Sequence, residues 1–277
     1  MGNTSVRVRR RARLATAGAR RLPDFLVIGA QRAGSTSLFA QLCDHPGVAP
    51  PSHKEIHYFD QQSFRSLRWY RSHFPPVAAA RGRLTGEASP YYLFHPAVPA
   101  RVAEALPDVR LVALLRDPVA RAYSHYQLSV RDGHEPLGFE EALRAEPERL
   151  AHEDGRLLTD RAYRSHAHRH QSYAARGLYA EQLRRWHEHV PPERLLVVSS
   201  EELFADPGRV TGTVLEFLGL EAGEVPPFPV RNQRPYPPMS DAARGFLEAR
   251  FEGPNRELAE LLGRDFGWSA PRPVAAP

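Results

Sequence analysis

The run Phe25-Leu26-Val27-Ile28-Gly29-Ala30-Gln31-Arg32-Ala33-Gly34-Ser35-Thr36-Ser37 decides the fold. Its opening block is apolar, short and closed by glycine, the pattern of a strand buried on both faces. Two glycines five residues apart then allow a tight turn whose backbone N–H groups point inward. A helix begins at Ser35, so its N-terminal dipole end and the hydroxyls of Ser35, Thr36 and Ser37 face the same space. Strand, glycine turn and helix start together predict an anion cradle.

Working outward, residues 35–42 read as a helix that stops before His45-Pro46-Gly47. A second apolar strand is expected at 111–115, ending in Arg116-Asp117-Pro118. Proline suits a first helical position, so a helix is expected over 119–130. A helix near 179–189 leads into a third strand at 195–199. A closing helical pair is expected at 241–251 and 255–262. Strands alternating with helices predict an α/β fold, a P-loop-type three-layer arrangement with a central, mostly parallel sheet flanked by helices. In such sheets ligands bind beyond the carboxyl ends of the strands.

The 277 residues are ample for one domain, expected over 23–270 with a short tail at 271–277. Residues 1–22 carry Arg7, Arg9, Arg10, Arg11, Arg13, Arg20 and Arg21, and read as a basic, disordered arm. The net charge of +5 and a pI near 9.6 suit an anionic ligand. No apolar run is long enough for a signal peptide or a membrane span, so a cytoplasmic protein is expected. A single cysteine, Cys43, excludes an internal disulfide and a cysteine-rich zinc site. His166, His168 and His170 alternate without carboxylate partners at suitable spacing, so they read as a polar face and no metal is expected.

A nucleoside-triphosphatase turn ends in Gly-Lys-Ser/Thr, with the lysine on the outer phosphates and a hydroxyl on magnesium. Here Ser35 follows Gly34, and the cation sits earlier, at Arg32. The next strand ends in Arg116 where a magnesium-binding aspartate would be expected. Arg116 and Ser124 can converge on one phosphate through a planar guanidinium and a hydroxyl, while Asp117 reads as a helix cap. Both departures point from ATP and magnesium toward a nucleotide with separate phosphate groups.

The glycine turn, the stretch Lys54-Glu55-Ile56-His57-Tyr58-Phe59 and the stretch Arg116-Asp117-Pro118 to Ser124 and Tyr126 occur in that order. This set resembles the sulfotransferases that use 3′-phosphoadenosine 5′-phosphosulfate, and most of all their heparan-sulfate sulfotransferase-like branch and its bacterial relatives. The likeness runs from about residue 23 to 268. It implies a cofactor whose phosphosulfate lies on Gln31, Arg32, Ala33, Gly34, Ser35, Thr36 and Ser37 and whose 3′-phosphate lies on Arg116 and Ser124. The product would be adenosine 3′,5′-bisphosphate. Arg234 and Tyr236, in Asn232-Gln233-Arg234-Pro235-Tyr236-Pro237, resemble the late loop that closes over the cofactor. Tyr179 matches a position on the acceptor side.

The resemblance also makes Glu55 the catalytic base, with His57 assisting. If residues 54–60 are extended, Glu55, His57 and Phe59 share one face and Lys54 points the other way. Lys54, the only lysine among 37 basic side chains, would then reach the rim of the site or solvent. The family's usual lysine is Arg32 here, which stays charged but donates protons poorly, so its expected role is electrostatic. Ala88 stands where many heparan-directed relatives carry lysine, which argues against a heparan-like acceptor. Tyr91 is a further candidate for the acceptor pocket. A hydroxyl-bearing acceptor is expected, with neither metal nor nucleic acid. Two other classes remain open: a P-loop kinase-like phosphotransferase, and a non-catalytic anion- or nucleic-acid-binding module using the basic arm.

Overall fold

The computed structural model describes residues 2–222 and 236–268. Four strands form one sheet: β1, Phe25–Gly29; β2, Gly86–Ala88; β3, Arg110–Leu115; and β4, Leu195–Ser199. Their order is β2-β1-β3-β4 and every pair is parallel. Register is set by Val27 opposite both Ala88 and Val112, and by Leu111 opposite Leu195. All five residues of β1 are buried, as its unbroken apolar run requires of a central strand covered on both faces. The sequence reading omitted β2, because Gly-Glu-Ala has no strand pattern. Gly86 is needed there, since a Cβ would lie 2.5 Å from the Phe25 ring.

The Ser35–Asp44 and Tyr179–His187 helices pack with the sheet into one apolar core through Leu38, Leu42, Leu183 and Trp186. A second cluster, including Val119, Ala122, Leu143, Tyr173, Leu247 and Phe251, seats the Pro118–Arg131 helix against the last one. That last helix runs unbroken over Asp241–Leu262, through Pro254. A proline costs one backbone hydrogen bond and crowds the preceding turn. Ala243, Leu247, Phe251 and Leu258 nevertheless form one buried stripe across it, and packing of that stripe holds both halves in line.

The basic arm also departs from expectation. It holds a helix over Gly2–Ala15, and the chain is docked by the time it reaches Ala17, which is fully buried. Arg20 donates to the Phe74 carbonyl at 2.7 Å, and Arg21 to the Arg83 carbonyl at 2.6 Å. No helix among the described residues is long and apolar enough to cross a membrane.

Candidate functional site

Three segments meet along the carboxyl edge of the sheet. The glycine turn leaves β1, Arg116 follows β3, and the Glu55–His57 segment is pinned just beyond β2. There the Glu55 N–H donates to the Ala88 carbonyl at 3.1 Å and the His57 N–H to the Ser89 hydroxyl at 3.2 Å. Since β2 and β3 flank β1, the carboxylate, the turn and the arginine follow neighbouring strands in that order.

In the turn, Gly34 adopts φ +99° and a Cβ there would lie 3.0 Å from the Phe204 ring, so glycine is required on both counts. Arg32 is also left-handed, at φ 72°, a conformation costly for a side chain of its size and characteristic of constrained sites. The N–H groups of Ser35 and Thr36 take no backbone carbonyl among the described residues, whereas Ser37 N–H bonds the Gly34 carbonyl at 2.9 Å. Ser35 and Ser37 are nearly enclosed. Gln31 is held from behind by Arg176, whose Nη1 donates to its Oε1 at 2.5 Å.

Arg32, Arg116 and Ser124 are gathered as expected. Arg32 Nε donates to Ser124 Oγ at 2.9 Å, and Arg116 Nη1 donates to the Arg32 carbonyl at 3.0 Å. Both acceptors are neutral, so these contacts leave two guanidinium charges side by side. Burial, and then the like charge of Arg116, pull Arg32 below its ordinary value. A polyanion relieves this arrangement. Asp117 does cap the Pro118–Arg131 helix, accepting from Val119 N–H at 3.0 Å.

The Glu55 segment reaches its place by a route that alternation did not foresee. Glu55 and His57 are both left-handed, at φ 61° and 54°, and a short helix over Tyr58–Gln61 follows at once. Phe59 therefore enters the core instead of sharing a face with Glu55. Lys54 does not point away either: its Nζ lies 2.5 Å from Glu55 Oε1. Glu55 Oε2 is 3.3 Å from His57 Nε2, and His57 Nδ1 is 2.7 Å from Asp60 Oδ2. The result is a chain of alternating charge, Lys54–Glu55–His57–Asp60.

Electrostatics follow from that chain. Burial pushes Glu55 up, but hydrogen bonds from His57 and Lys54 and their charges outweigh it and hold the carboxyl at about 2. Burial pulls His57 down, yet the Asp60 charge and hydrogen bond, with Glu55 beyond, raise it to about 9. At neutral pH Glu55 is ionised and His57 carries a proton on each ring nitrogen. Asp60 is fully buried and was missed from sequence, although its place three residues after His57, on the next helical turn, was the available signal. Glu87 braces the same wall. It is buried, accepts from Tyr70 and Tyr92 hydroxyls at 2.7 and 2.8 Å, and takes the Ser89 hydroxyl at 3.2 Å.

A family model described as the sulfotransferase domain matches residues 22–233. The chain belongs to the sulfotransferase family. It is similar to the heparan sulfate glucosamine 3-O-sulfotransferase 6 of Mus musculus, 30% identical over 91% of this chain and 75% of that protein. It is also similar to the membrane-associated sulfotransferase kil1 of Dictyostelium discoideum, 27% identical over 89% of this chain. The human bifunctional heparan sulfate N-deacetylase/N-sulfotransferase 3 is 30% identical over 87% of it. The chain spans 66% of the length of the Dictyostelium protein and 30% of the human one. Among solved structures, a sulfotransferase from Alicyclobacillus acidocaldarius superposes with a TM-score of 0.72 at 30% identity, covering 90% of this chain and 99% of that one.

The remaining candidates of this sulfotransferase divide. Tyr236 is described and half in solvent, its ring 5.4 Å from that of Tyr123 and within the electrostatic reach of Arg32. Arg234 lies outside the described residues. Tyr179 does not face an acceptor: it is buried, and its hydroxyl donates to the Arg116 carbonyl at 2.8 Å, bracing the strand end. Tyr91 is buried with its hydroxyl 2.6 Å from His168 Nδ1, and one side of it lines a cavity of about 490 Å³. Asp60, Phe64, Tyr163, Arg164 and Arg169 share that lining, so the cavity lies behind His57. Ala88 is fully buried in the core.

Proposed function

We propose that the protein transfers a sulfuryl group from 3′-phosphoadenosine 5′-phosphosulfate to a hydroxyl of a glycan, a glycosylated natural product or another small molecule. The observation that carries this reading is the order along the sheet edge: base beyond β2, anion turn beyond β1, second cation beyond β3. The fit rests on two neighbouring guanidiniums whose hydrogen bonds, among the described residues, go to neutral acceptors. The N–H groups and hydroxyls of Gln31 to Ser37 would hold the 5′ end of the nucleotide, and Arg116 with Ser124 its 3′-phosphate. Tyr236, whose ring lies within electrostatic reach of Arg32, would cover the nucleotide.

The nucleotide supplies a sulfuryl group on a phosphate leaving group; accepting it requires that the hydroxyl proton go to a base. Glu55 is that base. Because it binds a proton weakly, transfer to it is favourable only late, once the acceptor oxygen is bonding to sulfur and has itself become acidic. Protonated His57 fixes Glu55 and adds positive charge at the acceptor end, while Asp60 keeps it protonated. Arg32 places a permanent charge beside the departing phosphate oxygen. The cavity lined by Asp60, Tyr91, Arg164 and Arg169 is where we place the body of an acceptor.

Glu55→Gln tests the assignment. Turnover is expected to fall about a hundredfold or more, with binding of adenosine 3′,5′-bisphosphate changed less than about twofold. Equal loss of both would make Glu55 structural. Transfer of labelled sulfate from the nucleotide into a cell extract, followed by mass spectrometry, identifies the acceptor. An acid-labile sulfur–nitrogen product would replace the hydroxyl with an amine, and transfer of label only from magnesium-ATP would overturn the class.

A further inference from the structure

Outside the reaction site, three imidazoles converge where the sequence reading expected a plain polar face. His166 and His170 lie one turn apart on the His166–His170 helix, and His134 arrives from just past the end of the Pro118–Arg131 helix. Ring centroids are 3.9 Å apart for His134 and His170, 4.9 Å for His166 and His170, and 5.2 Å for His134 and His166. The intervening His168 turns inward to Tyr91 and Asp154, so the alternation in sequence hid a pair and a separate residue. The third donor comes from 32 positions upstream of His166, beyond the reach of any local motif.

We propose that His134, His166 and His170 form a binding site for a divalent transition-metal ion of the zinc class, separate from the sulfuryl-transfer centre. One nitrogen from each ring lies within 4.8 Å of the others. Three points no farther apart than this lie within about 2.8 Å of a common centre. Zinc–nitrogen bonds are about 2.0–2.1 Å, so each nitrogen needs to move by at most about 0.8 Å, within the swing of an imidazole on its own rotamer. Three neutral nitrogens suit zinc, cobalt, nickel or copper over calcium or magnesium, and leave further positions open to water or another ligand.

The backbone beneath the cluster is already fixed. The Ser129 hydroxyl donates to the His170 carbonyl at 2.6 Å, the Gln171 amide to the His134 carbonyl at 2.9 Å, and His134 N–H to the Ser129 carbonyl at 2.8 Å. Donors carried on tied segments lose little freedom on binding. An ion here would clamp the helix that carries Ser124 to the segment that leads to Arg176, the residue holding Gln31.

The test uses the full chain, stripped of metal with a chelator and titrated with zinc by calorimetry, and with cobalt by visible absorption. One equivalent is expected to bind the wild type, with cobalt giving the visible bands of an imidazole-ligated ion and zinc raising the melting temperature. His166 is exposed, so His166→Ala should fold normally; it is expected to bind zinc at least about tenfold more weakly and to lose the thermal shift. Replacing exposed His189 with alanine should change neither. Absence of stoichiometric binding to the wild type, or equal binding by His166→Ala, would overturn the site. Either result leaves the Glu55 assignment untouched, because the readouts involve no sulfuryl transfer.

Discussion

Replacing Asp60 with asparagine removes one charge from a fully buried position and nearly nothing else. In the native chain His57 is raised from 6.5 to about 9, chiefly against burial and by the Asp60 carboxylate 2.7 Å from its Nδ1. Without that charge, burial and the Glu55 carboxylate 3.3 Å from Nε2 oppose each other, and where they cancel His57 titrates at its ordinary value of about 6.5. Near pH 8 the protonated fraction then falls from about 0.9 to about 0.03, roughly thirtyfold, whereas near pH 6 it falls only to about three quarters. Turnover of Asp60→Asn should follow these fractions, with the basic limb of the pH profile moved down by about 2.5 units. The same pair contributes to stability on the order of 3 kcal/mol. His57 is raised on folding, so this contribution is fully present below about pH 6.5 and disappears as pH rises through about 9. Histidine-labelled protein followed by nuclear magnetic resonance reads the titration without any acceptor. A His57 that titrates near 6.5 in the native chain, or near 9 in both chains, would refute the charge chain.

Arg116→Ala should weaken adenosine 3′,5′-bisphosphate about 10- to 100-fold, the range for a lost charge-assisted contact, while an analogue lacking the 3′-phosphate changes less than about threefold in calorimetry. Lys54→Met removes a contact of 2.5 Å whose partners are partly exposed, 21% and 43%. Solvent screens such a pair to about 1 kcal/mol or less, so the acidic limb of the turnover profile should move up by under about one unit. Arg32→Lys keeps the charge but loses the fork that spans Ser124 and the nucleotide. It should retain far more turnover than Arg32→Met, and equal loss would show that geometry, and not charge, is what Arg32 supplies.

Local chemistry made the anion turn and the Arg116 strand end legible in the sequence. Glycines at fixed spacing, a helix start and an Asp-Pro cap act within a few residues of one another; the structure uses left-handed Gly34, the helix start and the cap as read, while Gly29 closes β1 against Leu93. Two left-handed residues without glycine were not foreseeable at 55 and 57, because such conformations are imposed by surroundings. Here those are Ala88, Ser89 and the Asp60 carboxylate. The partners found only in three dimensions are long-range by nature: Arg176 against Gln31, Tyr179 against the Arg116 carbonyl, His134 against His166 and His170. The two-helix reading of the closing segment fails for a related reason: Pro254 carries a local penalty, but Phe251 before it and Leu258 after it are both buried, each in a different apolar cluster, and hold the helix continuous.

Charge is distributed unequally between the two halves of the site, and that inequality orders its chemistry. On the β2 side Lys54, Glu55, His57 and Asp60 alternate in sign, so each is satisfied by its neighbours without any ligand. On the β1 and β3 side Arg32 and Arg116 stand together, and among the described residues their hydrogen bonds go to a hydroxyl and a carbonyl, so their charge is less fully met there than on the β2 side. Affinity for an anion is therefore concentrated away from Glu55, and the carboxylate can remain ionised beside the bound anion because Lys54 and protonated His57 screen it. A carboxylate placed in the unbalanced half would pair with the arginines and cancel the pocket; in the balanced half, the charge of Glu55 is already met by Lys54 and His57.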